Sequence, residues 1–149
     1  MVSYIGSRHG RPPWWSDEDY EKSQEVNTKI LPAYFKAKVE ADEHFAALTH
    51  HRNVTDKDQS FQGINLRPGT LTDEPSSGKV TLGKTPSRGK VSRETVAQVA
   101  AELLSRSDTR GWYDLLDGEE DIVEAVSRLA AAEWDGIDGE DLNAIYARS

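Results

Sequence analysis

Three short apolar segments alternate with amphipathic helices along this chain, and that order restricts the folds open to it. The apolar segments cover residues 2–5, 61–66 and the centre of 111–118, each followed by glycine or proline within three residues. Apolar residues recur at helical spacing within 33–48, 92–105 and 119–134, and a last short helix is expected over 140–147. Strands that alternate with helices in this way are typically parallel and joined by crossover connections. The sequence therefore predicts an α/β chain with about three strands and flanking helices.

The segments between these elements divide the chain further. Residues 8–29 are polar, contain two adjacent prolines and are predicted to be irregular, a long loop of the kind found at active sites. Residues 132–149 are predicted to be a C-terminal extension of a single domain. The strand core is expected to come from five apolar side chains: Val2, Ile5, Phe61, Ile64 and Leu66.

Composition excludes several classes of function. The 149 residues carry 18 basic and 26 acidic side chains, a net charge of −8, which disfavours binding to nucleic acid as a main activity. No apolar run approaches the length of a membrane span, and no secretory signal is visible, so a cytoplasmic location is expected. Cysteine is absent, and the four histidines do not form a zinc-binding HExxH pattern, so no metal site is predicted.

One stretch departs from the acidic balance. Between residues 79 and 93 the chain has five basic residues and no acidic one: Lys79, Lys84, Arg88, Lys90 and Arg93. Such a stretch is either a solvated loop or a contact with an anionic ligand or partner.

Tyr34 and Lys38 are the first candidates for chemistry. Four residues apart on the predicted helix 33–48, they share one face, with Cβ atoms about 5–6 Å apart. A lysine ammonium there stabilises phenolate relative to phenol, which suits a tyrosine that exchanges a proton with a carbonyl or alcohol oxygen. The spacing alone is a weak signal, because Tyr-x-x-x-Lys also occurs by chance on solvated helix faces.

Four segments in order strengthen this interpretation: "VSYIGS", the Tyr34–Lys38 helix, "LRPGTLTDEPSSGKVTLGK" and "GWYDLLDGEEDI". Together they resemble the short-chain dehydrogenase/reductase superfamily, and more closely the atypical, NmrA-like, NAD(P)-binding group. The resemblance covers most of residues 1–131 and concerns the C-terminal half of such proteins. It implies part of a Rossmann-like, doubly wound parallel sheet.

The resemblance also implies roles for individual residues. Tyr34 matches the family's acid/base, and Lys38 matches the lysine that assists it and holds the nicotinamide ribose. Pro68, Gly69 and Thr70 match the loop that borders the nicotinamide. Ser3 is the candidate for the substrate-orienting serine, although Tyr4 stands where relatives often have a second serine; Ser7 is a more distant candidate. The implied cofactor is NAD(P), and the implied substrate is a small carbonyl or alcohol compound.

The glycine-rich turn that receives the dinucleotide pyrophosphate is absent from these 149 residues. The nearest pattern, "GSRHG", is followed by arginine, proline and tryptophan instead of a helix. The sequence therefore predicts a truncated domain that begins at about its fifth strand, binds NAD(P) weakly or not at all by itself, and self-associates through an exposed sheet edge. The alternative is a non-enzymatic regulator that senses dinucleotide, or a protein-interaction module.

Overall fold

The structure, a computed structural model, describes residues 1–148. Its helices are α1 (Asp17–Glu25), α2 (Pro32–His50), α3 (Arg93–Leu104), α4 (Ile122–Ala131) and α5 (Leu142–Tyr146). Short π-helical turns, Val26–Ile30 and His51–Thr55, follow α1 and α2. The strands are β1 (Ile64–Pro68), β2 (Thr70–Thr72), β3 (Lys79–Gly83), β4 (Lys90–Ser92), β5 (Gly111–Asp117) and β6 (Glu120–Asp121).

The main sheet has four strands in the order β1-β5-β3-β6. β1 and β5 are parallel, as the alternation of elements predicts, whereas β3 runs antiparallel to both β5 and β6. A separate pair joins β2 and β4 in parallel. The predicted α/β class is confirmed, but the sequence analysis missed β2, β3 and β4, because residues 70–92 are rich in glycine, proline, serine and lysine and show no long apolar run. It also missed β6, which is only two acidic residues long.

The first predicted strand is an extended segment along the free side of β1. Ser3 donates its backbone N–H to the Leu66 carbonyl at 2.8 Å, and Ile5 donates to the Pro68 carbonyl at 3.2 Å. Only Val2 and Leu66 form a regular bridge, and it is parallel. Of the predicted strand core, Ile5, Ile64 and Leu66 are buried, Phe61 precedes β1 and is half-buried, and Val2 is 48% exposed.

Helix α1 lies within residues 17–25, where the sequence analysis predicted irregular structure. Ser16 and Asp19 explain it: the Ser16 hydroxyl accepts the Asp19 N–H at 3.1 Å, and the Asp19 carboxylate accepts the Ser16 N–H at 3.2 Å. This capping box satisfies two backbone donors, and the acidic first turn favours the helix dipole. The prediction of irregular structure was wrong for residues 17–25, because it rested on their polarity and did not include the Ser16–Asp19 capping box.

Two apolar layers position the sheet. Helices α3 and α4 cover one face and form the larger core with Leu66, Val80, Val99, Leu115 and Val126. On the other side a smaller cluster joins α2 and α5 through Ala47, Trp112, Ile137 and Ile145. The predicted C-terminal extension therefore packs against the domain.

The outer edge of residues 1–5 pairs with no strand among residues 1–148. Ser3 and Ile5 direct their N–H groups to β1, so the N–H groups of Val2 and Tyr4 face the opposite side, while the carbonyls of these two residues accept from Lys38 at 3.5 Å and from the Ser7 N–H at 3.1 Å. An unpaired edge is a template for another chain. We expect the purified chain to self-associate at micromolar concentrations, and we expect Val2→Lys to reduce this association, measured by sedimentation velocity.

Val123→Lys is the matched control for the edge, because Val123 is also exposed but lies on α4. It should leave the association unchanged. A chain that stays monomeric at about 100 µM with a sharp two-state melt would contradict an open edge.

None of the described helices is long and apolar enough to cross a membrane.

Candidate functional site

A cavity of about 470 Å³ lies where the 1–5 segment and β1 reach their carboxyl ends. In open parallel sheets, ligands bind in this position. The residues that line it include Ser3, Tyr4, Asn27, Leu31, Tyr34, Pro68, Gly69, Thr70, Leu71 and Arg88. The cavity therefore brings together Ser3, Tyr34 and the 68–70 loop; Lys38 stands one helical turn beyond Tyr34.

Tyr34 occupies the first turn of α2, whose N-terminus begins with Pro32. The side chain is 45% exposed and faces the cavity, where its ring centroid lies 5.2 Å from that of Tyr4. The Lys38 ammonium lies 5.6 Å from the centre of the Tyr34 ring and 3.5 Å from the Val2 carbonyl oxygen. The sequence-predicted pair is thus on one helix face, with a cation beside an accessible phenol.

Tyr4 forms the wall beside Tyr34, which the sequence analysis did not anticipate. Its hydroxyl donates to Asn27 Oδ1 at 2.9 Å, and Asn27 Nδ2 donates to the Gly6 carbonyl at 2.8 Å. Burial, together with the proximity of Tyr34, raises the pKa of Tyr4 well above its ordinary value. Tyr4 therefore remains a neutral phenol, and it supplies an aromatic surface.

Ser3 also lines the cavity, but its hydroxyl donates to Asp42 Oδ2 at 2.7 Å. Its oxygen retains acceptor capacity, while its proton is held by the carboxylate. Ser7 is fully buried outside the cavity lining. The substrate-orienting role of Ser3 stays a prediction.

The 68–70 loop follows β1 directly. Gly69 donates to the Leu115 carbonyl at 3.0 Å, and Thr70 donates to the Gly89 carbonyl at 2.9 Å. A Cβ at position 69 would stand 2.5 Å from Leu116 Cδ2 and 2.6 Å from the Gly89 oxygen, so only glycine fits here. This close packing fixes the backbone at the cavity rim.

These residues fit the nicotinamide end of NAD(P). The cavity has the size of a small-molecule site, the Tyr34 phenol and a fixed backbone loop line it, and the Lys38 ammonium lies beside the Tyr34 ring. Residues that would hold the pyrophosphate through a glycine-rich turn are absent from the sequence.

Beneath the cavity lies a buried ionic network that the sequence analysis missed. It consists of Arg8, Asp42, Arg67 and Asp114, all nearly inaccessible to solvent. Arg67 donates to Asp114 at 3.0 Å, to Asp42 at 3.1 Å and to the Ile5 carbonyl at 3.0 Å. The network therefore joins the N-terminal segment, α2, β1 and β5, the elements that carry the site.

Arg8 and Trp112 make further contacts in this network. Arg8 Nη2 lies 3.8 Å from Asp114 Oδ2 and donates to the Gly136 carbonyl at 2.8 Å. The Arg67 guanidinium lies 4.0 Å from the centre of the Trp112 ring. A charged residue inside each apolar strand, in "NLRPG" and "WYDLL", was the signal available in the sequence.

Within residues 1–148, no group of three or more histidine, aspartate or glutamate side chains could hold a metal ion.

Comparison with known proteins identifies the family and supports the fold. The NAD(P)H-binding family matches residues 1–107. A UPF0659 protein of Schizosaccharomyces pombe is 32% identical over 133 residues, which cover 85% of this chain and 49% of that protein. An uncharacterized sugar epimerase of Bacillus subtilis, YhfK, is 37% identical over 82 residues, 52% of this chain and 38% of its own length.

Among solved structures, the oxidoreductase ylbE from Lactococcus lactis superposes with a TM-score of 0.60 at 21% identity. The superposition covers 87% of this chain and 50% of that one, and it supports the fold. The chain thus spans about half the length of the S. pombe relative and of this structure, and less of YhfK. Because the family match covers more than two thirds of its residues, this chain belongs to the NAD(P)H-binding family.

Proposed function

We propose that this chain forms the nicotinamide and substrate side of an NAD(P)-dependent oxidoreductase that acts on a carbonyl or alcohol. The observation that carries the proposal is the position of Tyr34. Its phenol faces a cavity at the carboxyl ends of parallel strands, with the Lys38 ammonium 5.6 Å from its ring and the fixed 68–70 loop at the rim.

In this proposal Tyr34 gives a proton to the substrate oxygen during reduction and takes it back during oxidation. Lys38 places its ammonium beside the Tyr34 ring and contacts the nicotinamide ribose. Pro68, Gly69 and Thr70 border the nicotinamide, while Tyr4 packs against the body of the substrate. When bound, NAD(P) supplies the redox chemistry. Ser3 orients the substrate; because Asp42 holds its proton, it can accept a hydrogen bond only from a substrate hydroxyl other than the one that exchanges a proton with Tyr34.

We further propose that a strand, a glycine-rich turn and a helix complete the dinucleotide site, on the same polypeptide or on a partner chain. Three features support this: the sequence lacks that turn, the 1–5 segment has an unpaired outer edge, and the chain spans about half of its S. pombe relative. We call this chain together with the missing half the extended protein.

The 149-residue chain alone should bind NADPH and NADH with a dissociation constant weaker than about 1 mM. At the nicotinamide end it offers two or three hydrogen bonds, each contributing about 0.5–1.5 kcal/mol. That sum barely offsets the entropy lost when a flexible dinucleotide is ordered. Isothermal titration calorimetry tests this expectation, and micromolar affinity for either cofactor would show that the chain suffices for binding.

A second candidate function is a non-enzymatic, dinucleotide-sensing regulator. One observation favours it: Asp42 holds the proton of Ser3 and Asn27 holds that of Tyr4, so neither hydroxyl is free to donate to a substrate. An extended protein that binds NADPH but turns over no aldehyde, ketone or quinone would support the regulator over the enzyme.

A further inference from the structure

Three cationic side chains and no carboxylate line the Tyr34 cavity. The cations are Lys22, Arg88 and Arg93. Lys22 is paired with Glu18 and Arg93 with Asp73, acids that are mostly exposed to solvent and lie outside the cavity lining. In a chain with a net charge of −8, the charged residues of this lining are all cations, and Arg88 is the one that no acid among residues 1–148 pairs with.

Arg88 differs from the other two cations because its guanidinium has no hydrogen bond or ion pair with any of the residues 1–148. All its donors are therefore available to a ligand. A planar guanidinium of this kind suits the oxygens of a carboxylate or phosphate, to which it donates two parallel hydrogen bonds.

The backbone on both sides of Arg88 is fixed. Ser87 donates its N–H to Asp19 at 3.1 Å, and Gly89 accepts the Thr70 N–H at 2.9 Å. Burial alone would raise the pKa of Asp19, but the hydrogen bonds from Ser87 and Ser16 outweigh it and hold this pKa below its ordinary value. Because the backbone is already anchored, less conformational entropy is lost when the Arg88 side chain binds a ligand.

We propose that the cavity takes an alcohol or carbonyl compound that carries a carboxylate or phosphate group, and that Arg88 binds this group. This inference rests on the proposed function for the role of the alcohol or carbonyl end. The apolar part of the ligand would lie against Tyr4, Leu31 and Leu71, which line the same cavity. Arg88 is thereby a specificity-determining residue and takes no part in proton transfer.

The test measures binding of three matched compounds to the 149-residue chain by isothermal titration calorimetry. They are 4-(hydroxymethyl)benzoate, 4-(hydroxymethyl)phenyl phosphate and the neutral methyl ester of the first. A charge-assisted bidentate contact should make one or both anions bind at least about tenfold more tightly than the ester. The two anions distinguish a carboxylate site from a phosphate site.

Two variants test whether Arg88 is the residue that causes the preference for the anion. Arg88→Gln should remove the preference for the anion, and Lys90→Gln should retain it, since Lys90 carries the same charge two residues away but lies outside the lining and pairs with Glu74 at 3.6 Å. The proposal is overturned if the ester binds as tightly as both anions, if no anion binds below about 10 mM, or if Arg88→Gln keeps the preference.

Turnover separates this inference from the proposed function. If the chain binds the anions through Arg88 but the extended protein oxidises none of the alcohols, the oxidoreductase proposal fails and the anion site stands. If the extended protein oxidises the ester with the same kcat/KM as the anions, the oxidoreductase proposal stands and the anion site fails.

Discussion

Replacing Arg67 by methionine should lower the free energy of unfolding by about 3–5 kcal/mol, a large share of the stability of a domain this size. The change leaves Asp42 and Asp114 buried without their main partner and removes the bond to the Ile5 carbonyl. Urea unfolding followed by tryptophan fluorescence measures the loss, since buried Trp112 lies beside Arg67.

Arg128→Met is the control for this prediction. Arg128 donates twice to Glu120, at 3.0 and 2.8 Å, but about half of its side chain is exposed. An exposed pair of this kind contributes less than about 1 kcal/mol. Equal losses for the two variants would mean that the buried network does not stabilise the fold more than a surface ion pair does.

Tyr34→Phe should lower kcat of the extended protein by about 10²-fold or more, because the substrate oxygen loses its positioned proton donor. The ring and its contact with Tyr4 are retained, so binding of the carbonyl substrate should change little. Steady-state oxidation of NADPH with a panel of aldehydes and quinones measures the effect. Lys38→Ala should in addition raise KM for the cofactor.

Tyr20→Phe removes a phenolic hydroxyl outside the cavity lining and should leave kcat unchanged. If Tyr34→Phe turns over as fast as this control, Tyr34 is not the acid/base.

Much of the fold could be predicted because local signals were strong. Helix α3 begins after Ser92, whose hydroxyl accepts the Thr95 N–H at 3.0 Å, as its capping residue suggested. The strand Gly111–Asp117 begins at the first glycine of "GWYDLLDG" and ends before the second, Gly118. By contrast, β3 pairs through long-range contacts with β5, and no local pattern in 79–83 indicates that it is antiparallel.

The candidate site was predicted in part. Family resemblance indicated Tyr34 and the 68–70 loop, and both line one cavity. The partners of Ser3 and Arg67 could not be predicted, since Asp42 meets them only when α2 packs against the N-terminal segment. The unpaired state of Arg88 likewise depends on which neighbours the tertiary structure supplies, although the acid-free stretch 79–93 pointed to this region.

The most direct test of the central claim, a carbonyl/alcohol redox site at Tyr34, is isotope transfer in the extended protein. The extended protein is incubated with 4-formylbenzoate and NADPH that is deuterated at C4 of the nicotinamide, in separate reactions for each face of the ring. The product is analysed by mass spectrometry. The account predicts 4-(hydroxymethyl)benzoate with one deuterium on the carbinol carbon, formed at least about 10²-fold more slowly by Tyr34→Phe. Cofactor binding without any deuterated alcohol, from either face and over a panel of carbonyl compounds, would contradict it.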